Sequence, residues 1–303
     1  MAGGKERELR RRIRSVRSTR KITKAMELIA ASQIHRAQAR ISANRPYREG
    51  MARIIVEAAA GDPTAAAKLL GAPAQVRRAL LVVLVGDRGL SGPYNSSVLR
   101  AAEHELVRLR AEGAEATVVA VGKKSISYLS FRGIEVAHGF QGFSDRPTYA
   151  DAREVAAVAG AGFAREAIDQ VLLVSMRYHS SASQSVEVRQ LLPLPAPDDA
   201  VLEHERAAAG SQGYTEFEPD AEQLLEVLAP AALESEVFTA LLEGAAAFHT
   251  LQQRAMAAAT ENADELVRLL TREVNRARQD AITTEIMEIV GGAEALRTEK
   301  EHA

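Results

Sequence analysis

The chain has 303 residues, no cysteine, no tryptophan and a formal net charge of only −2. Without cysteine there are no disulfides, no thiolate metal centres and no cysteine nucleophile. The longest aliphatic run, residues 79–85, falls far short of the ~20 apolar residues that a membrane-spanning helix needs. The near-neutral total conceals a strong asymmetry. Residues 1–53 carry fifteen Lys and Arg against four Asp and Glu, a net of +11, whereas residues 220–303 carry seven against sixteen, a net of −9. The amino terminus runs directly into charged residues, so a secretory signal is not expected and a cytoplasmic location is.

The first predicted element is a helix over residues 5–60. Its apolar residues Leu9, Ile13, Val16, Ile22, Met26, Ile29, Ile34, Ala37 and Ile41 recur mostly three or four apart and form one stripe. Pro46 removes one backbone donor and should kink this helix rather than end it, because the pattern resumes at Met51, Ile54 and Ile55. The Gly61-Asp62-Pro63 sequence should stop it, and Gly71 and Pro73 mark a turn-rich link. The texture then changes to alternating short β-type and helical runs. Strands are predicted at 79–85, 116–121, 134–138, 170–178 and 185–192, with helices near 93–112, 122–131 and 150–168. The unbroken run from Leu80 to Val85 implies a strand buried on both faces, as in a helix-covered parallel sheet.

From Pro193 to Asp220 the sequence reads as loop, and a second long helix follows to about Leu296. Its stripe runs from Leu233 through Leu241, Phe248, Ala255, Leu266 and Val274 to Ala277 at spacings of three to five, close to a coiled-coil seam. The 60 proline-free residues 231–290 would span roughly 90 Å as helix, too long to wrap a compact core. The two end helices therefore pair with each other, most simply antiparallel, because a whole domain lies between them. Exposed ion pairs contribute only ~0–1 kcal/mol each, so the apolar seam holds the pair and charge selects the partner. The small residues Ala245 to Ala247, Ala255 and Ala257 to Ala259 fit either close helix approach or a smooth surface, the second being the more interesting. The fold class is thus α/β with a long α-helical coiled coil. It comprises a discontinuous shaft, 1–60 and 220–303, and a Rossmann-like α/β domain over 75–213.

The chemical motifs are thin. Gly86-Asp87-Arg88-Gly89-Leu90-Ser91-Gly92 follows a strand and precedes a helix, where a phosphate loop would sit, but lacks the G-x-G-x-x-G spacing. Gly122-Lys123-Lys124-Ser125 misses a Walker loop, with Thr117 in place of the first glycine and Lys124 where Ser or Thr should follow lysine. Ser91 lies outside a G-x-S-x-G elbow. The seven histidines are scattered, so no metal, cofactor or catalytic residue is expected. Three functions remain in play at this level: a mechanical shaft, a nucleotide-binding α/β enzyme, and a coiled-coil nucleic-acid binder using the basic first helix, against which the acidic second helix argues. Arg278-Gln279 offers several donors to a partner loop. Ile282, Ile286, Met287, Ile289 and Val290 cover a face wider than one partner helix would, so something should enclose this end.

Several segments, in order, closely resemble the gamma subunit of F-type ATP synthases. They are Arg17 to Ser32, Arg45-Pro46-Tyr47, Gly86 to Gly92, Gln190 to Pro195, Asn275 to Ile286 and Glu288 to Ala293. The resemblance spans essentially the whole chain. It implies a rotor stalk inside a ring of three alpha and three beta subunits, contacting also an epsilon subunit and the membrane ring of c subunits, with no nucleic acid and no small-molecule substrate of its own. Chemistry would belong to the beta subunits. By resemblance, Arg278, Gln279 and Thr283 match positions touching a beta-subunit loop, and Met26 lies on the facing part of the first helix. Phe217 and Glu218 resemble the foot contact near the epsilon subunit and the ring. Ser91 stands where the family often has cysteine, and the chloroplast form's cysteine-bearing segment has no counterpart, so a bacterial form, peripheral on the cytoplasmic face of the membrane, is implied.

Overall fold

The computed structural model describes residues 2–61, 70, 75–194 and 221–301. The expected chain stop at Asp62-Pro63, the link at Gly71 and Pro73, and Phe217 and Glu218 lie outside the described residues. In chain order the elements are α1 (Ala2–Gly61), β1 (Arg78–Leu84), α2 (Tyr94–Ala111), β2 (Glu115–Val121), α3 (Lys123–Phe131), β3 (His138–Phe140), α4 (Tyr149–Ala164), β4 (Gln170–Tyr178), β5 (Gln184–Leu192) and α5 (Ala221–Glu301). No described helix is long and apolar enough to cross a membrane. The chain forms two compact units, one from Met1–Ile29 with Gln253–Ala303, the other Ala30–Gln252.

The larger unit is built on a five-stranded sheet of order β3-β2-β1-β4-β5, parallel except for the antiparallel β4–β5 edge pair. Strand alternation sorts the core residues of β1 onto two faces. Leu80, Val82 and Leu84 face a core shared with α4, with Ile55 and Ala58 of α1, and with Leu225, Leu233, Val237 and Leu241 of α5. Leu81, Val83 and Val85 face the other, with Val98, Leu99 and Leu106 of α2, Leu129 of α3 and Phe248 of α5. A run buried on both sides is what the sequence implied for this strand. The end helices touch in this unit, where Asn44 Nδ2 of α1 donates to Thr239 Oγ1 of α5 at 2.9 Å. Arg189 of β5 reaches Glu243 of α5 at 3.4 Å, a largely buried pair.

Two boundaries moved. The third strand is three residues, not 134–138, because Arg132, Gly133 and Ile134 close the end of α3. Their amides donate to the carbonyls of Tyr128, Ser130 and Leu129, with Gly133 at φ +70°. Helix α4 stops at Ala164 rather than 168, where Ala167 and Ile168 turn back to the Gly162 carbonyl and Glu166 takes φ +53°. Pro46 does not end α1, which is helical on both sides of it.

Along α5, every residue from 241 to 250 is buried. Gly244 allows this close approach, since a Cβ there would sit 2.9 Å from Leu84 Cδ2 and 3.0 Å from the Tyr94 hydroxyl. Phe248 packs edge-on against Tyr94, centroids 5.5 Å apart at 88°. Ala245, Ala246 and Ala247 are buried too, so of the two uses their small size allows, these three serve close packing and not a smooth outer surface.

The smaller unit is an antiparallel pair of helical segments. Leu9 and Ile13 of α1 pack with Leu270, Val274 and Ala277 of α5. Nearer the other end of the segment, Thr23 meets Thr260 and Arg20 meets Asp264. As residue numbers rise on one helix they fall on the other, which is the antiparallel register.

Candidate partner-contact surface

The register of the smaller unit decides where a partner can touch. Thr23 opposite Thr260 and the Leu9–Ile13 cluster opposite 270–277 place the start of α1 near residue 281 of α5. Beyond that point α5 faces no described residue of α1. The side facing α1 carries Leu270, Val274 and Ala277 and then continues as Ala281, Glu285 and Glu288. At ~100° per residue, Arg278, Gln279, Ile282, Thr283, Ile286, Ile289 and Val290 instead share an arc of roughly 140° on the opposite side. The apolar stripe thus changes sides where its internal partner ends.

All these arc residues are exposed, and Ile282, Ile286, Met287, Ile289 and Val290 are between 49% and 72% exposed. An apolar face of this extent that no described residue covers marks an interaction site. Arg278, Gln279 and Thr283 edge it with donors that the described residues leave free for a partner. Met26 does not belong to this patch. It is half-buried, and the antiparallel register sets it opposite residues near 257, some twenty residues along α5 from Arg278, or roughly 30 Å of helix. The facing position inferred by resemblance therefore applies to another level of the helix pair. Ile22, Leu28 and Ile29 of α1 are 58–61% exposed and add a second apolar surface at that level.

The glycine loop after β1 is a structural knot. Asp87 accepts from the backbone amides of Lys123 (2.9 Å), Gly142 (3.0 Å) and Ser144 (3.1 Å) and from the Ser144 hydroxyl (2.8 Å). Burial raises the Asp87 pKa, but these donors together outweigh it and hold the carboxyl below its ordinary value. The amides at the start of the loop are already used. Gly86 N donates to Asn95 Oδ1, Asp87 N to Ser144 Oγ and Lys124 N to the Gly86 carbonyl. Phe248 closes the space beside Gly86, where a Cβ would be 3.1 Å from its ring. The start of the loop is therefore filled by the chain's own side chains. A cavity of about 260 Å³ lies elsewhere, between Asn44, Arg48, Arg177, Thr239 and Glu243. Nothing in the sequence spacing pointed to Asp87 as the residue joining three loops.

The ATP synthase family model matches residues 5–296. The ATP synthase gamma chain of Parafrankia sp. (strain EAN1pec) is 46% identical over 299 residues, covering 97% of this chain and 98% of that one. The gamma chain of Frankia casuarinae is 45% identical over 297 residues with the same coverage. A chain from the central stalk and c-ring of the Tetrahymena thermophila mitochondrial ATP synthase superposes with a TM-score of 0.58 at 24% identity, over 78% of this chain and 99% of that one. One from the OSCP/F1/c-ring part of the Euglena gracilis mitochondrial ATP synthase gives 0.64 at 17% identity, over 98% and 96%. These structural likenesses establish the shared fold, and the sequence matches establish kinship. The chain belongs to the ATP synthase gamma-chain family.

Proposed function

We infer that this chain is the central-stalk rotor subunit of an ATP synthase, a non-catalytic part of the complex that couples ion flow through a membrane ring to conformational cycling of catalytic subunits. The observation that carries this reading is the exposed arc over residues 278–290. An apolar helix face that turns away from its internal partner and is edged by Arg278, Gln279 and Thr283 suits a surrounding protein collar. In this reading Arg278, Gln279 and Thr283 grip a beta-subunit loop, while Met26 works at a separate level beside Ile22 and Ile29. Phe217 and Glu218 contribute the contact to the epsilon subunit and the c-ring. Residues 1–60 and 220–303 act as one discontinuous shaft and 75–213 as the foot domain.

The partners are three alpha and three beta subunits, an epsilon subunit and the c-ring. The chain belongs to a membrane-associated complex, and we place it peripherally on the cytoplasmic face of a bacterial membrane, with protons as the coupling ion. Mixing the chain with alpha and beta subunits tests the reading. A stable assembly whose ATP hydrolysis rises well above that of alpha and beta alone supports it, and failure to associate rejects it. Saturable binding of a nucleotide to the isolated chain would instead favour the enzyme reading, which the filled glycine loop opposes.

A further inference from the structure

Over residues 17–29 of α1, Thr23 is the only buried side chain, so the seam between Val16 and Ala30 is closed at this level by a polar group. It meets a polar partner. Thr23 Oγ1 and Thr260 Oγ1 lie 2.8 Å apart, both buried, with Met256 and Ala263 buried on the α5 side. Each hydroxyl also reaches a carbonyl of its own helix, Thr23 to Arg20 at 3.0 Å and Thr260 to Met256 at 2.8 Å. Two protons are shared among three links. With Thr260 donating to Thr23 and Thr23 to Arg20, or with Thr23 donating to Thr260 and Thr260 to Met256, the bond between helices is made and both protons are used. The bond between the helices can thus be made in either direction, but only in one axial alignment.

An apolar seam has no such preference. Side chains of similar size slide past one another at little loss, whereas any shift breaks the bond between the two hydroxyls and leaves each with only the carbonyl of its own helix, and a buried polar contact of this kind is how single polar positions fix register in coiled coils. We propose that Thr23 and Thr260 form a clasp that fixes the axial register of α1 and α5, acting as positioning residues that prevent the helices from slipping when torque is applied. Arg20 and Asp264, one turn away and about 45% and 42% exposed, add a weaker contact with the same alignment. This proposal rests on the rotor reading.

The test uses the whole membrane complex assembled with Thr23→Val/Thr260→Val, Thr23→Val alone and Thr23→Ser, reading ATP hydrolysis, protons pumped per ATP, and melting of the free chain. Valine keeps the shape and removes the hydroxyl. The clasp predicts near-normal hydrolysis and undiminished melting, with pumping per ATP lowered by at most about two- to tenfold, since one net hydrogen bond is worth about a two- to tenfold change in the ratio of slipped to clasped chains. Thr23→Ser restores it. Unchanged pumping overturns the proposal, as does a loss that tracks a fall in melting temperature, which would make the pair merely structural. If the double variant does not assemble, Thr23→Val alone decides by the same criteria. Failure of the unsubstituted chain to assemble or pump would reject the rotor reading itself, a separate outcome.

Discussion

Helix α5 contains two apolar stretches that fare oppositely. Residues 241–250 are buried without exception, against the sheet, Tyr94 and the glycine loop, whereas residues 282–290 are exposed without exception. Both are helical and both are rich in apolar side chains. What separates them is supply: the first has a sheet face within its own chain, and the second has run past the end of its antiparallel partner. Apolarity states only that a stretch needs cover. Register states whether the chain can provide it.

Breaking the covered stretch should have the largest effect on the isolated chain. Phe248→Ala removes a ring that fills the space beside Gly86 and Tyr94, and is expected to cost about 3–5 kcal/mol, read as a fall in the denaturant midpoint. Asp87→Ala leaves several donors of the two loops after β2 and β3 unpaired and should cost roughly 2–4 kcal/mol. Its pH dependence has a definite sign. Because the folded carboxyl is held below its ordinary value, its contribution is present above the unfolded pKa of ~3.9 and is lost as pH falls through the folded one. Acid unfolding curves of the parent and Asp87→Ala chains should therefore converge at low pH and separate towards neutrality.

Substitution in the uncovered stretch should do the reverse. Arg278→Ala with Gln279→Ala is expected to leave the melting of the free chain within about 0.5 kcal/mol, because both side chains are exposed. Binding to the alpha and beta assembly should weaken by roughly tenfold or more, since a hydrogen bond to a charged group is worth about 1.5–3 kcal/mol. Equal effects on free and assembled chain would erase the contrast between the two stretches. The smallest effect is expected for Arg20→Gln, at most about 1 kcal/mol and vanishing in high salt, because its pair with Asp264 is half exposed.

Much of this was legible beforehand because it depends on periodicity. The two end helices, the doubly buried β1 and the apolar end of α5 follow from spacing and run length. Strand β3 was misplaced because Ile134 looks like a strand residue, while Gly133 commits it to closing α3. The alanines at 245–247 were ambiguous since small size serves close packing and open surface alike, and only the nearby Gly244 contact with Leu84 settles which. Packing groups the chain into two units whose limits fall inside the long helices, at Ile29 and Gln252. Thr23 sits in a stripe of larger apolar residues, and its pairing with Thr260 becomes visible only once register is known. Asp87 resembles any loop carboxylate until the loops after β2 and β3 are brought to it.

The central claim is mechanical, and the absence of cysteine makes it directly measurable, since one introduced thiol gives one labelling site. Val107 on α2 is 64% exposed and suits Val107→Cys. A probe attached there, with the alpha and beta subunits fixed to a surface, should turn continuously in one direction while ATP is hydrolysed and stop when it is exhausted. A stable, hydrolysing assembly in which the probe stays still would contradict the account.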